Sequence, residues 1–371
     1  MSASTSVRST HAQAVWSGRE TFAVTRIDVR DFRTEIISLF EANGKADLGK
    51  QFDWYYRNDG QPTPISWALR GTNGRLFGLC SVTIRGMRFG TTPVRAGVAG
   101  NLLVDRSRGA YLGAFSLVNA IKSLVDTREL DVLLGIPNVL AQPIFVRCGF
   151  NTIDRWVTYV QLASSRNLLK FHFGRSGMLA SRVIDWAATA RRELSDRRGT
   201  KNSGFRVIDL SENELSRVRF ENWTLDSQGL GLIASGEYLK WRFMRAPVQG
   251  FGVVAVLSSE HEICAYVVIR SSRGRIWIAD CCSDHRQLNE HEAMLCFCHD
   301  HRALASTVWI PVLSAATLSK QLATAGFVKI KQSLGGYPDF PFVGYWRTDH
   351  PLADIFGQPS AWHLLSGFND V

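Results

Sequence analysis

The chain has 371 residues, of which 45% are hydrophobic and 20% charged. That composition fits one large or two ordinary globular domains and excludes a long disordered chain. No run approaches the ~20 apolar residues needed to span a bilayer. The opening stretch, Met1 to Glu20, has no apolar core of a secretory signal and reads as a frayed leader. The net charge of +10 points to an anionic partner: nucleic acid, a membrane surface or a phosphorylated small molecule. The seven cysteines are an odd number, and Cys281 and Cys282 are adjacent. This predicts no disulfide framework and a reducing, cytoplasmic setting.

In chain order, Thr25 begins a strand that leads into a helix capped by Asp31, with Phe32, Ile36, Ile37 and Phe40 on one face. Ile65–Leu69, Leu76–Ile84 and Val94–Val104 are rich in β-formers and separated by glycine turns, so they read as an antiparallel meander. A helix follows over Tyr111–Val125 with Leu112, Phe115, Val118 and Leu124 inward, then a buried strand at Asp131–Gly135. Asn138–Cys148 is a second helix stopped by Gly149, and Thr152–Leu162 is a last strand.

Residues 164–204 differ. Nine Lys or Arg face three acidic residues there, a local charge of +6. Met178–Leu194 has the spacing of an amphipathic helix. This basic connector is predicted to be a solvated link or a contact with a membrane surface.

The pattern then repeats. Strands are expected at Phe205–Leu210, Gly252–Leu257, Cys264–Ser271, Arg275–Cys281 and Val308–Leu313, and helices at Glu212–Asn222, Glu290–Ala305 and Ala315–Ala325. Phe52-Asp-Trp54 matches Tyr238-Leu-Lys-Trp241, and Cys148-Gly149-Phe150 matches Ala325-Gly326-Phe327. An internal duplication of one αβ unit accounts for both pairs.

The most informative stretch is Leu102-Leu-Val-Asp-Arg-Ser-Arg108-Gly109-Ala110-Tyr111-Leu112-Gly113. A strand, a basic glycine turn and a helix start present successive backbone N–H groups, a ready site for phosphate oxygens. Gly109 and Gly113 are expected to let the backbone approach a ligand. The spacing is neither a dinucleotide fingerprint nor a Walker A. Further on stand Asn138, Ala141, Phe145, Gly149 and Phe150.

Together these motifs resemble the GNAT superfamily, the GCN5-related N-acyltransferases, in the tandem form found in bacteria. The resemblance covers Thr25–Leu162 by motif and Phe205–Gln332 by topology. It implies an α/β fold with a mixed sheet, built as two acyl-CoA N-acyltransferase-like domains of which the second is degenerate. The implied division is 1–20 leader, 21–163 acyl-CoA-binding domain, 164–204 connector and 205–371 acceptor-shaping domain. It also implies that acetyl-CoA or another acyl-CoA is held by Leu102, Leu103, Val104, Arg108, Gly109, Ala110, Tyr111, Leu112, Gly113 and Asn138. A strand bulge would pair with the pantetheine arm, and the N–H of Leu102 or Leu103 would polarise the acyl carbonyl.

Two positions depart from the pattern. Tyr111 replaces a glycine, and Phe145 stands where many members place a tyrosine acid. No general base is identified; Asp53 and Asp105 are the candidates. After Asp280 the second copy has no glycine and carries Asp284 and Glu290, which would repel phosphate. Trp54, Tyr238, Trp241 and Arg242 are an aromatic and cationic set suited to gripping a polar acceptor.

The Cys and His residues between Cys281 and His301 lack zinc spacing, and no metal is expected. The expected activity is acyl transfer from acyl-CoA to a primary amine, a small molecule, a sugar or a cell-envelope precursor. An aminoacyl-tRNA donor and a non-catalytic binding module are the alternatives. No nucleic-acid motif is present, so no nucleic-acid partner is expected. The sequence does not set an oligomeric state.

Overall fold

The structure is a computed structural model and describes residues 13–17, 20–56, 62–105, 110–162, 204–224, 229–247, 250–272, 274–301, 307–331 and 338–368. The basic connector lies outside these residues, apart from Gly204, and so do Arg108 and Gly109.

The first half opens with β1 (Gln13–Ser17) and β2 (Glu20–Ile27). Residues expected to be a frayed leader thus form an edge strand, with Gln13–Ser17 paired antiparallel to Glu20–Val24. Asp28, not Asp31, caps the next turn by accepting from the Arg30 N–H. Helix α1 (Arg33–Ala42) and the short helix α2 (Phe52–Tyr56) precede the meander β3 (Ile65–Gly71), β4 (Leu76–Phe89) and β5 (Thr92–Val104).

Helix α3 (Ala110–Asp126) then covers the sheet. Leu117, Val118, Ile121, Leu124 and Val125 recur at helical spacing, and all five are fully buried. Leu112, expected inward, is 46% exposed because it lies in the first turn, ahead of the packed face. Strand β6 (Val132–Gly135), helix α4 (Gln142–Arg147) and the long strand β7 (Asn151–Leu162) complete the half. Gly149 takes φ +88° after α4, and Gly326 takes φ +87° at the matching position.

The second half repeats this order. It comprises β8 (Arg206–Asp209), β9 (Leu230–Leu232), β10 (Phe251–Leu257), β11 (Ile263–Ser272), β12 (Arg275–Ser283), helix α5 (Glu290–Asp300), β13 (Thr307–Leu313), helix α6 (Thr317–Thr324) and β14 (Val328–Ile330). Two more strands follow, β15 (Pro341–Trp346) and β16 (Trp362–His363).

Among the described residues, all sixteen strands belong to one sheet, whose main path is β1-β2-β3-β4-β5-β6-β15-β7-β13-β12-β11-β10-β8. The two halves exchange strands. β15, from the end of the chain, inserts between β6 and β7 of the first half. In return β7 pairs with both β13 and β14 of the second half. A strand read as the last of its own unit therefore belongs to both.

The repeat is also visible at the joint. Trp54 and Trp241 stack with centroids 5.4 Å apart. The Trp54 indole N–H donates to the Trp241 carbonyl at 2.9 Å, and the Trp241 indole donates to the Trp54 carbonyl at 3.0 Å. Such reciprocal bonding is what a local two-fold relation between duplicated segments produces. An offset stack adds ~0.5–1.5 kcal/mol beyond its buried area.

Candidate acyl-donor site

In the first half, β5 runs parallel to β6 only from Ala96 to Ala99, opposite Val132–Gly135. β6 ends there, while β5 continues to Val104 and leaves a gap between them. At the mouth of this gap β5 is bulged. Leu79 pairs with Leu103 but Ser81 pairs with Gly100, so Asn101 and Leu102 together face Cys80. A bulge leaves its extra residue out of the ladder and redirects the strand. Asn101 adopts φ +51°, a left-handed conformation that Asn accepts more readily than most residues.

The Asn101 side chain is held from below. Its Nδ2 donates to the Tyr56 hydroxyl at 2.9 Å, Tyr56 bonds Ser81 at 2.9 Å, and Ser81 bonds Ser66 at 2.8 Å. Burial pushes the Tyr56 hydroxyl's pKa up, so the network is neutral. The Asn101 Oδ1 is shielded from solvent and has no hydrogen-bond partner among the described residues.

Beyond β5 lies the N-terminus of α3. Tyr111 there is 42% exposed, and its hydroxyl accepts a hydrogen bond from Arg147 of α4. The Arg147 guanidinium also lies 5.5 Å from the Tyr111 ring centre. Tyr111 is thus drawn toward α4, and Arg147, which the motif reading missed, brings a cation to the N-terminus of α3. The only sequence signal for it was a basic residue in the last turn of α4.

Gly113 has a different role from the one expected. A Cβ there would sit 2.6 Å from Leu69 Cδ2 and 3.2 Å from Val104 Cγ1, so this glycine lets α3 lie close on the sheet. Asn138 spends its Oδ1 on its own turn, accepting from Leu140 and Ala141 N–H at 3.0 Å each. Phe145 is buried against Phe150, with centroids 4.9 Å apart, and offers no acid.

The candidate bases are both tied up. Asp53 pairs with Arg33 at 2.9 Å, and Asp105 pairs with Arg75 at 3.4 Å. The expected acceptor grip is instead the joint between the halves. Tyr238, Trp241 and Arg242 are buried and Trp54 is half-buried. Arg242 lies over the Trp54 ring at 5.5 Å, and Arg85 over Trp241 at 5.6 Å.

The second half has the same gap with other contents. β12 and β13 pair over Arg275–Trp277 and Thr307–Trp309. A bulge again follows, at Ala279, between the pairs Val268–Asp280 and Ile269–Ile278. The chain's own tail enters this gap: Leu365 bridges Val312, and Gly367 lies so close to the bulge that a Cβ would meet the Ala279 carbonyl at 2.8 Å. One of the first N–H groups of α5, that of Glu292, is also used. Asn289 accepts from the Glu292 N–H, and Glu292 accepts from the Asn289 N–H. Beside the tail remains a cleft open to solvent. Among the described residues no three His, Cys, Asp or Glu side chains are arranged to hold a metal.

Solved structures share this architecture. A probable N-acyltransferase from Enterococcus faecalis superposes with a TM-score of 0.60 at 12% identity, covering 87% of this chain and 71% of that one. The chain has the fold of the GNAT superfamily. A GCN5-related N-acetyltransferase from Anabaena variabilis gives a TM-score of 0.53 at 8% identity, covering 88% and 72%. The Saccharomyces cerevisiae N-myristoyltransferase with bound myristoyl-CoA gives 0.52 at 13% identity, covering 96% and 91%. No protein-family model matches the sequence, and no curated protein matches it significantly. The chain is therefore similar to these neighbours in fold and not in readable sequence. Among the described residues no helix is long and apolar enough to cross a membrane.

Proposed function

We propose that the protein is an N-acyltransferase that takes its acyl group from an acyl-CoA bound in the first half and passes it to an amine. The observation that carries this reading is the bulge at Asn101–Leu102, at the mouth of the gap between β5 and β6 and directly ahead of α3. A pantetheine arm needs a strand edge to pair with, and a pyrophosphate needs convergent N–H donors. The residues present fit both needs. The α3 first turn at Tyr111–Gly113 offers backbone N–H groups, and Arg147 offers charge.

In the proposed reaction the amine nitrogen attacks the thioester carbonyl carbon. The developing oxyanion is held by a backbone N–H of the bulge, at Leu102 or Leu103. The N–C bond forms, the C–S bond breaks, and the sulfur leaves as thiolate. The proton lost by the amine passes to that thiolate through solvent, because Asp53 and Asp105 are engaged in ion pairs. The amine therefore has to arrive neutral.

Free-thiol release from acetyl-CoA and from longer acyl-CoAs, measured against a panel of primary amines, tests the reaction. Amine-dependent thiol release is expected. A protein that binds acyl-CoA without ever releasing thiol would contradict it.

A further inference from the structure

The cleft in the second half has a lining opposite in sign to the molecule. The chain carries +10, yet Asp280 and Glu290 line the cleft together with His285 and His363, and no described Lys or Arg does. Asp280 sits just past the Ala279 bulge and is 8% exposed. Its oxygens accept from the Cys281 N–H at 3.0 Å and the Tyr266 hydroxyl at 3.3 Å. The charge of Arg242 reaches it from the joint, but burial dominates and pushes the carboxyl up to about 6. This carboxylate is short of compensating charge.

Glu290 begins α5 and holds the His285 ring at 2.7 Å. Another part of the wall is apolar, with Leu364 and Leu365 supplied by the tail. An anion finds no welcome here, because the Asp280 and Glu290 carboxylates both repel it and the Glu292 N–H at the start of α5 serves its own capping box.

We propose that this cleft binds a small organic cation, an alkylammonium or guanidinium group on a short apolar stem, independently of the acyl donor. The cationic head meets Asp280 and Glu290, His285 fixes the rotamer of Glu290, and the stem lies on Leu364 and Leu365. The site belongs to the half that lacks a phosphate cradle, so it stands whether or not the acyl-transfer reading holds.

The test is calorimetric titration of the full chain at neutral pH and low salt with butylammonium, agmatine and putrescine. Butanol and butyrate serve as neutral and anionic controls. Saturable binding of at least one cation, with neither control binding, is expected. Asp280→Asn and Glu290→Gln should each weaken it about tenfold or more, while acetyl-CoA affinity stays within twofold. Thr317→Trp, which narrows the rim from an exposed position, should also weaken it and covers the case in which a carboxylate variant fails to fold. The proposal is overturned if no cation binds, if butyrate binds as well as butylammonium, or if folded variants bind as tightly as the wild type.

Discussion

Asn101 does two jobs with one side chain. Its backbone turns the strand at φ +51°, and its amide is anchored to Tyr56. A β-branched residue is the poorest choice for a left-handed position, where an ordinary side chain costs ~1–2 kcal/mol. Asn101→Val should therefore destabilise by about that amount and weaken acetyl-CoA binding, whereas Asn101→Gly should keep the backbone turn and most of the affinity. Denaturation and calorimetry on both variants check this; equal loss in both would place the role in the side chain alone.

Asp280 gives a second prediction, with a definite sign. Its carboxyl is raised from 3.8 to about 6 in the folded chain. Below pH 4 both folded and unfolded forms are protonated and the group contributes nothing. Between pH 4 and 6 the unfolded form ionises first, so stability falls as pH rises, by about 3 kcal/mol in total. Asp280→Asn should match the wild type near pH 4 and exceed it by up to that amount above pH 7. A constant difference across the range would contradict the shift.

At the scale of elements, β15 is the least local piece of the fold. It comes from the far end of the chain, yet it closes the gap between β6 and β7. Gly344 is pressed between Ile153 and Trp346, with 2.8 and 2.9 Å available to a Cβ. Gly344→Val should cost about 1–3 kcal/mol by overpacking. It should also raise amide exchange in Val132–Gly135 of the first half. Faster exchange confined to 338–346 would mean that β15 does not support β6.

This element also shows what the sequence could not convey. The meander, α3, α4, α5 and α6 announce themselves by apolar period and by glycine stops, and the repeat of Trp54 in Trp241 was visible as a pattern. Pro341-Phe-Val-Gly-Tyr-Trp346 is a plain apolar run, and nothing in it says which strands it will join. Pairing between distant segments is set by the whole sheet and not by local propensity. The same limit applies to Gly113, whose need for a bare Cα comes from Leu69, and to Trp241, whose partner lies 187 residues away.

For the whole molecule, duplication has produced two gaps with different contents. The first is open between β5 and β6, beside the α3 N-terminus and Arg147. The second is threaded by Leu365 and Gly367 and faced by acids. Strand exchange and the Trp54–Trp241 joint lock the two halves together, so the asymmetry is one of binding and not of fold. The central claim is that a single acyl-CoA binds per chain, in the first half.

Calorimetric titration with acetyl-CoA, on the wild type and on Leu112→Pro, tests this claim directly. Leu112 is 46% exposed in the first turn of α3, where proline is tolerated but removes one N–H donor. The account predicts one site per chain in the wild type and an affinity at least about tenfold lower in a folded Leu112→Pro variant. Two equivalent sites, or an unchanged affinity in that variant, would contradict it.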